Sequence, residues 1–141
     1  MGSLCFDILH GRGPLVCSVA GFPLGATPLT PREAEWAVSR GASEIDMVIP
    51  LGLLRAGDHR GVYRCVQEVV KAVPGTPVKV ILETCLLSQQ EKVTACSISI
   101  DAGAAFVKTS TGFARGGATV PDVRLMRETV GDRAGVKPPA E

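Results

Sequence analysis

Four times along this chain a short apolar run gives way to a helical segment, and a fifth apolar run begins near residue 135. The first unit opens with Leu15–Ala20, which stops at Gly21 and leads into a loop through Pro23 and Gly25. Thr30-Pro31-Arg32-Glu33 then joins an N-cap hydroxyl, a proline at the first helical position and a glutamate three residues on, the pattern of a capping box. Ala34, Trp36, Ala37 and Val38 carry that helix to Gly41, which ends it. The second unit is Glu44–Ile49, a loop from Pro50 through Gly52 and Gly57, and a helix whose Val62, Cys65, Val66, Val69, Val70 and Val73 share one face. The third is Pro77–Leu82, a second capping box at Ser88-Gln89-Gln90-Glu91, and a helix carrying Val93, Cys96 and Ile100. The fourth is Ala104–Thr109, a loop holding Gly112, Gly116 and Gly117, and a helix from Pro121 to Val130. Gly135-Val136-Lys137 starts one more strand.

Apolar strands alternating with amphipathic helices predict βαβ units and a parallel sheet covered by helices, with five strands and four crossovers. An open doubly wound sheet and part of a closed (β/α)8 barrel both fit this spacing. The glycine-rich dinucleotide and phosphate-loop motifs common at the first turn of open sheets, GxGxxG and GxxxxGK[ST], are absent. A chain of 141 residues, 45% hydrophobic and 21% charged, suits one folded domain over residues 1–141.

Fifteen Lys and Arg against fourteen Asp and Glu leave a net charge of +1, so no basic face for nucleic acid or an anionic membrane is expected. The five cysteines, at 5, 17, 65, 85 and 96, form no CxxC pair, and two histidines match no zinc pattern, so neither metal nor cofactor is expected. Such scattered thiols are expected to be reduced and mostly buried core filler in an intracellular protein. No apolar run approaches the ~20 residues of a membrane span, and Met1–His10 lacks the features of a secretory signal. The expected location is the cytoplasm.

Several of the strands carry charges that buried strands normally avoid. Asp46 lies between Ile45 and Met47; Lys79 and Glu83 occupy the third strand region; Lys108 and Lys137 sit in the fourth and fifth. Each has a plainer explanation when taken singly. A strand lysine such as Lys79 usually sits at an edge with its ammonium in water, Asp46 could be a solvated strand end, and Glu83 is expected to pair with a neighbouring cation. His10 and His59 are expected at the surface, and Trp36 and Tyr63 to pack on helix faces. The combination shifts the balance, because acid and amine groups then converge at the strand ends that form the active face of such sheets and barrels. An interior amine that loses its proton attacks carbonyls to form a Schiff base, and burial or a second ammonium nearby favours the neutral form. Lys108 and Lys137, on consecutive strands, could supply that pairing, with Asp46 and a water moving protons. The implied chemistry is class I aldol cleavage.

Gly21-Phe22-Pro23-Leu24-Gly25, Glu44-Ile45-Asp46-Met47-Val48-Ile49, Lys79-Val80-Ile81-Leu82-Glu83-Thr84 and Phe106-Val107-Lys108-Thr109-Ser110-Thr111-Gly112-Phe113 resemble the deoxyribose-phosphate aldolase family, in the family's order, from about Val16 to Lys137. The resemblance implies a (β/α)8 barrel that reversibly joins acetaldehyde to glyceraldehyde 3-phosphate, giving 2-deoxyribose 5-phosphate, without a cofactor. It casts Lys108 as the Schiff-base lysine, Lys137 as the second lysine that aids proton transfer, Asp46 as the acid/base partner and Lys79 as a supporting charge in the same pocket. Thr109, Gly112, Gly116 and Gly117 fall where the family brings backbone amides towards substrate, a geometry suited to phosphate.

The family has two further strands before Leu15–Ala20, which Met1–Pro14 does not resemble. Beyond the lysine strand it has a Gly-Gly phosphate loop and an eighth strand, where this sequence reads Pro138-Pro139-Ala140-Glu141. The resemblance therefore implies strands three to seven of an incomplete barrel, with an atypical segment at 1–14 and a truncated end at 138–141. Two unpaired sheet edges would favour self-association. A catalytically impaired form acting only through association is the alternative expectation, and a different Schiff-base barrel enzyme a weaker one.

Overall fold

Every ladder in the sheet joins consecutive strands. In the computed structural model, which describes residues 2–138, β1 (Cys17–Ala20), β2 (Glu44–Val48), β3 (Val78–Ile81), β4 (Phe106–Lys108) and β5 (Gly135–Lys137) pair in parallel in that order. A doubly wound sheet reverses strand order at a switch point, and this sheet has no such reversal. Helices α2 (Thr30–Ser39), α4 (His59–Ala72), α5 (Gln89–Asp101) and α6 (Val120–Val130) touch one another in succession, so they line a single face. The architecture is an arc of a (β/α)8 barrel, with β1 and β5 as its edges among the described residues. Of the expected end segment 138–141, only Pro138 lies within the described residues.

Period-two alternation divides the sheet chemically. Ile45, Met47, Val78, Val80, Leu82 and Val107 face the helices and join Val62, Val66, Val69, Cys96 and Met126 in one apolar core. Full burial of an aliphatic side chain of this size contributes about 1.5–3 kcal/mol. Glu44, Asp46, Val48, Lys79, Ile81, Lys108 and Lys137 fall on the other face by the same alternation. Val48 and Ile81 are each 1% exposed yet stand apart from the core cluster, because they belong to that second face.

Local departures from the sequence reading have identifiable causes. Ser88 and Glu91 form the expected capping box, with the Glu91 amide donating to Ser88 Oγ at 3.2 Å and the Ser88 amide donating to Glu91 Oε2 at 2.7 Å. Thr30 and Glu33 form none. Leu29 is the N-cap of α2, Thr30 Oγ1 donates to the Thr27 carbonyl, and Glu33 Oε2 accepts from the Gly21 amide at 2.7 Å. The unpaired amide after β1 takes the carboxylate, which ties the strand end to the helix. The expected loop after Pro50 contains a short helix, α3 (Leu51–Arg55), because burying Leu51 and Leu54 outweighs the roughly 1 kcal/mol cost of Gly52 in a helix.

Within the segment before β1, Gly2–Leu9 form helix α1, whose Phe6 lies against Gly41. The cysteines contradict the expectation of buried thiols: Cys96 is buried and Cys65 half-buried, but Cys5, Cys17 and Cys85 are exposed. These three lie on α1, the edge strand and a short 3₁₀ turn at Thr84–Leu86, where no second layer covers them. Burial pushes the Cys96 thiol up to about 12. Trp36 is also exposed, with the Arg40 guanidinium 5.0 Å from its ring centroid, while Tyr63 is half-buried. Among the described residues, no helix is long and apolar enough to cross a membrane.

Candidate active site

The charged face of the sheet gathers side chains that are far apart in sequence. Asp46 and Lys79 are direct register partners across β2 and β3, and Lys108 sits one rung further along on β4, opposite Ile81. Asp46 lies between two ammonium groups: Lys79 Nζ stands 2.9 Å from Oδ1, and Lys108 Nζ stands 2.8 Å from Oδ2. Lys79 also donates to Glu44 Oε2 at 2.6 Å and to Cys17 Sγ at 3.4 Å, and the Cys17 thiol donates to Asp46 Oδ1 at 3.2 Å. Lys79, at 1% exposed, is therefore neither at an edge nor in water. Asp46 is equally enclosed, so the solvated strand end does not describe it.

Opposing effects set the ionisation of these groups. Burial, the strongest single influence on Asp46, pushes its carboxyl up, but the hydrogen bonds from Lys108, Lys79 and Cys17 together hold it below its ordinary value. Burial likewise works against the Lys79 ammonium, and the bonds to Glu44 and Asp46 outweigh it, raising Lys79. Cys17 is an exposed residue of the edge strand, but its sulfur turns in against Asp46, and the local loss of water together with the Asp46 carboxylate raises it, so it is held as a thiol.

Lys137 lies directly opposite Lys108 in the β4–β5 register, as the two-lysine expectation requires, but its side chain is exposed on the edge strand. Thr109 departs from the expectation of an amide offered to substrate. It is fully buried, its amide donates to the Lys137 carbonyl at 3.1 Å, and its own carbonyl accepts from the Thr84 amide at 2.9 Å. Gly112 and Gly117 are exposed and have open space where a side chain would stand, whereas Gly116 packs on Cys85, where an added Cβ would come within 2.7 Å.

Among the described residues Glu83 pairs with no cation, contrary to expectation. Its carboxylate accepts from the Thr111 amide and hydroxyl, which fastens the end of β3 to the loop after β4, and its own backbone is left-handed at φ 54°. The Phe113 amide donates to Thr111 Oγ1, and Phe113, 82% exposed, meets Phe22 edge-to-face at 5.3 Å. His10 and His59 are exposed and outside the cluster, as expected.

Sequence reasoning missed two members of the cluster. Glu44 is two residues before Asp46 and so on the same face by strand periodicity, a signal that was present. Cys17 gives no such signal, since it reaches the cluster only through its pairing with Glu44 across β1 and β2. A broad surface cleft between β1 and α2, lined by Val19, Leu29 and Trp36, contains none of Asp46, Lys79, Lys108 or Lys137. Among the described residues, no three His, Cys, Asp or Glu side chains converge as a metal site would require.

The sequence and the barrel arc as a whole are similar to those of known proteins. A curated protein of Carboxydothermus hydrogenoformans is 56% identical over 128 residues, covering 86% of this chain and 56% of that protein. One from Streptococcus uberis is 52% identical over 139 residues, covering 96% of this chain and 62% of its own length. Both are deoxyribose-phosphate aldolases. This chain is their homologue. Among solved structures, deoxyribose phosphate aldolase from Aeropyrum pernix superposes with a TM-score of 0.84 at 34% identity, over 96% of this chain and 58% of that one. A further solved aldolase superposes at 0.92 with 37% identity, over 97% of this chain and 62% of that one. The chain thus spans about three fifths of the length of the aldolases it matches. No protein-family model matches it.

Proposed function

We propose that this chain carries the Schiff-base centre of a deoxyribose-phosphate aldolase, a lyase acting on 2-deoxy-D-ribose 5-phosphate in deoxyribose catabolism. The observation that carries the reading is the contact of Lys108 Nζ with Asp46 Oδ2 at 2.8 Å, with the other carboxylate oxygen held by Lys79. Asp46 accepts a proton from Lys108, and the freed amine adds to the C1 aldehyde of the sugar phosphate. Loss of water gives the iminium. Removal of the proton from the C3 hydroxyl breaks the C2–C3 bond, and the electron pair moves into the iminium as an enamine. Glyceraldehyde 3-phosphate leaves, C2 is protonated, and hydrolysis releases acetaldehyde and Lys108. Lys137, opposite Lys108, assists these proton transfers, and the exposed Gly112 and Gly117, with no side chain in the way, leave backbone open to an anionic substrate group.

A cytoplasmic location suits a sugar phosphate substrate. Self-association draws support from the tetrameric aldolase of Aeropyrum pernix. An inactive chain acting only through association is the second reading, favoured by the exposure of Lys137 on an edge strand.

Incubation with acetaldehyde and borohydride separates the two readings. The aldolase reading expects a two-carbon adduct on Lys108, located by mass spectrometry and absent from Lys108→Met. A folded chain with no adduct there overturns it.

A further inference from the structure

Glu44 touches neither Lys108 nor Asp46, yet it makes the shortest ion pair to the buried Lys79, at 2.6 Å against 2.9 Å for Asp46. The charged string runs Glu44, Lys79, Asp46, Lys108, with the most buried side chain at Lys79 and the most exposed, 22%, at Glu44. We infer that Glu44 is a positioning residue for the aldolase chemistry: its carboxylate shares the Lys79 ammonium, so that Lys79 neutralises only part of Asp46 and leaves Oδ2 basic enough to serve Lys108. The inference rests on the aldolase reading of the site and adds to it a residue that sets the proton affinity of the catalytic carboxylate.

The groups facing Asp46 are few, and each strand contributes. Cys17 from β1 donates a thiol hydrogen to Oδ1; Lys79 from β3 donates to the same oxygen; Lys108 from β4 donates to Oδ2. Glu44 shares its strand, and Lys137 on β5 lies beyond Lys108. Cys17 is held neutral, so Glu44, Lys79, Lys108 and Lys137 are the charges that tune the carboxylate. Glu44 is the only anion among them. With Glu44 present, the positive charge of Lys79 is divided between two carboxylates. Without it, the whole charge of a buried ammonium falls on Asp46, whose proton affinity drops. A weaker proton acceptor opens the amine more slowly, because proton transfer follows Brønsted behaviour.

The test is the pH dependence of borohydride trapping of acetaldehyde on Lys108 in the wild-type chain, Glu44→Gln and Glu44→Asp. Removing a negative charge lets every ionisation in the cluster occur at lower pH. The rising limb of the Glu44→Gln profile is therefore expected to move down by about one unit, with a lower plateau. Glu44→Asp keeps the charge and is expected to return the limb toward the wild-type position. A purely structural role would lower the amount of folded protein, followed by circular dichroism, without moving a limb normalised to its own plateau. Trapping in the wild-type chain with coincident limbs in all three proteins overturns the inference and leaves the aldolase reading intact. Absence of any Lys108 adduct in the wild-type chain overturns the aldolase reading and the inference together.

Discussion

Lys108 and Asp46 are 62 residues apart in sequence, and their side chains meet at 2.8 Å across an intervening strand. The contact exists because β3 places Lys79 between them, so that one carboxylate receives a cation at each oxygen. Lys108→Met should abolish both turnover of the sugar phosphate and covalent trapping. Asp46→Asn keeps the shape and removes the proton acceptor, and is expected to lower kcat by roughly 10²–10⁴-fold. Steady-state kinetics with purified, folded variants would check both, and an Asp46→Asn chain with undiminished kcat would remove Asp46 from the mechanism.

Lys79 should matter to stability more than its charge alone suggests. Replacing it with Met takes the shared cation from Glu44 and from Asp46 Oδ1, while Lys108 still holds Oδ2. Breaking a buried ion pair from one side costs up to about 3–5 kcal/mol, and the remaining Lys108 partner places this change below that range. Urea unfolding should show a lower midpoint for Lys79→Met, and an unchanged midpoint would show that Lys79 does not stabilise the fold.

Acid should weaken the fold through the same carboxylate. Asp46 is held below its ordinary value in the folded chain, so the unfolded chain binds the proton more tightly. Its contribution is complete above the unfolded value of about 3.9 and is lost as pH falls through the lower folded value. Asp122, bridged to Lys92 at 2.6 Å between α6 and α5, is lowered in the same direction and adds to the effect. Denaturant midpoints measured from pH 6 down to pH 3 should fall for the wild-type chain. They should fall less steeply for Asp46→Asn, and an unchanged slope in that variant would show that the carboxylate does not link folding to pH.

The strand and helix pattern was legible because hydrophobic periodicity is local, and each of the five strands and four long helices lies near its expected place. The sheet order was legible only through the family resemblance, which implies consecutive strands of a barrel, as found. Spacing alone does not distinguish a sequential arc from a doubly wound sheet. Asp46, Lys79 and Lys108 could be found because charge in an apolar strand is costly and therefore conspicuous. Glu44 stands at the start of its strand, where charge is ordinary, so it drew no notice. Glu83 was misread because its partner, Thr111, is uncharged and 28 residues away. The thiols failed as core filler because burial depends on which layer covers a position, which a lone cysteine does not encode.

Two tetrads of the same sequence pattern should behave differently when cut. Ser88→Ala removes the oxygen that accepts from the Glu91 amide, so the first turn of α5 should fray at a cost of about 1 kcal/mol. Hydrogen exchange at Glu91 should quicken. Glu33→Ala leaves the start of α2 without any capping bond to lose, since Leu29 provides no side-chain cap and the Glu33 carboxylate serves the Gly21 amide. Exchange should quicken at Gly21, in the loop after β1, while the first turn of α2 stays as protected as before. Faster exchange in that turn instead would mean that Glu33 caps its own helix, and the tie between β1 and α2 would be lost as an explanation.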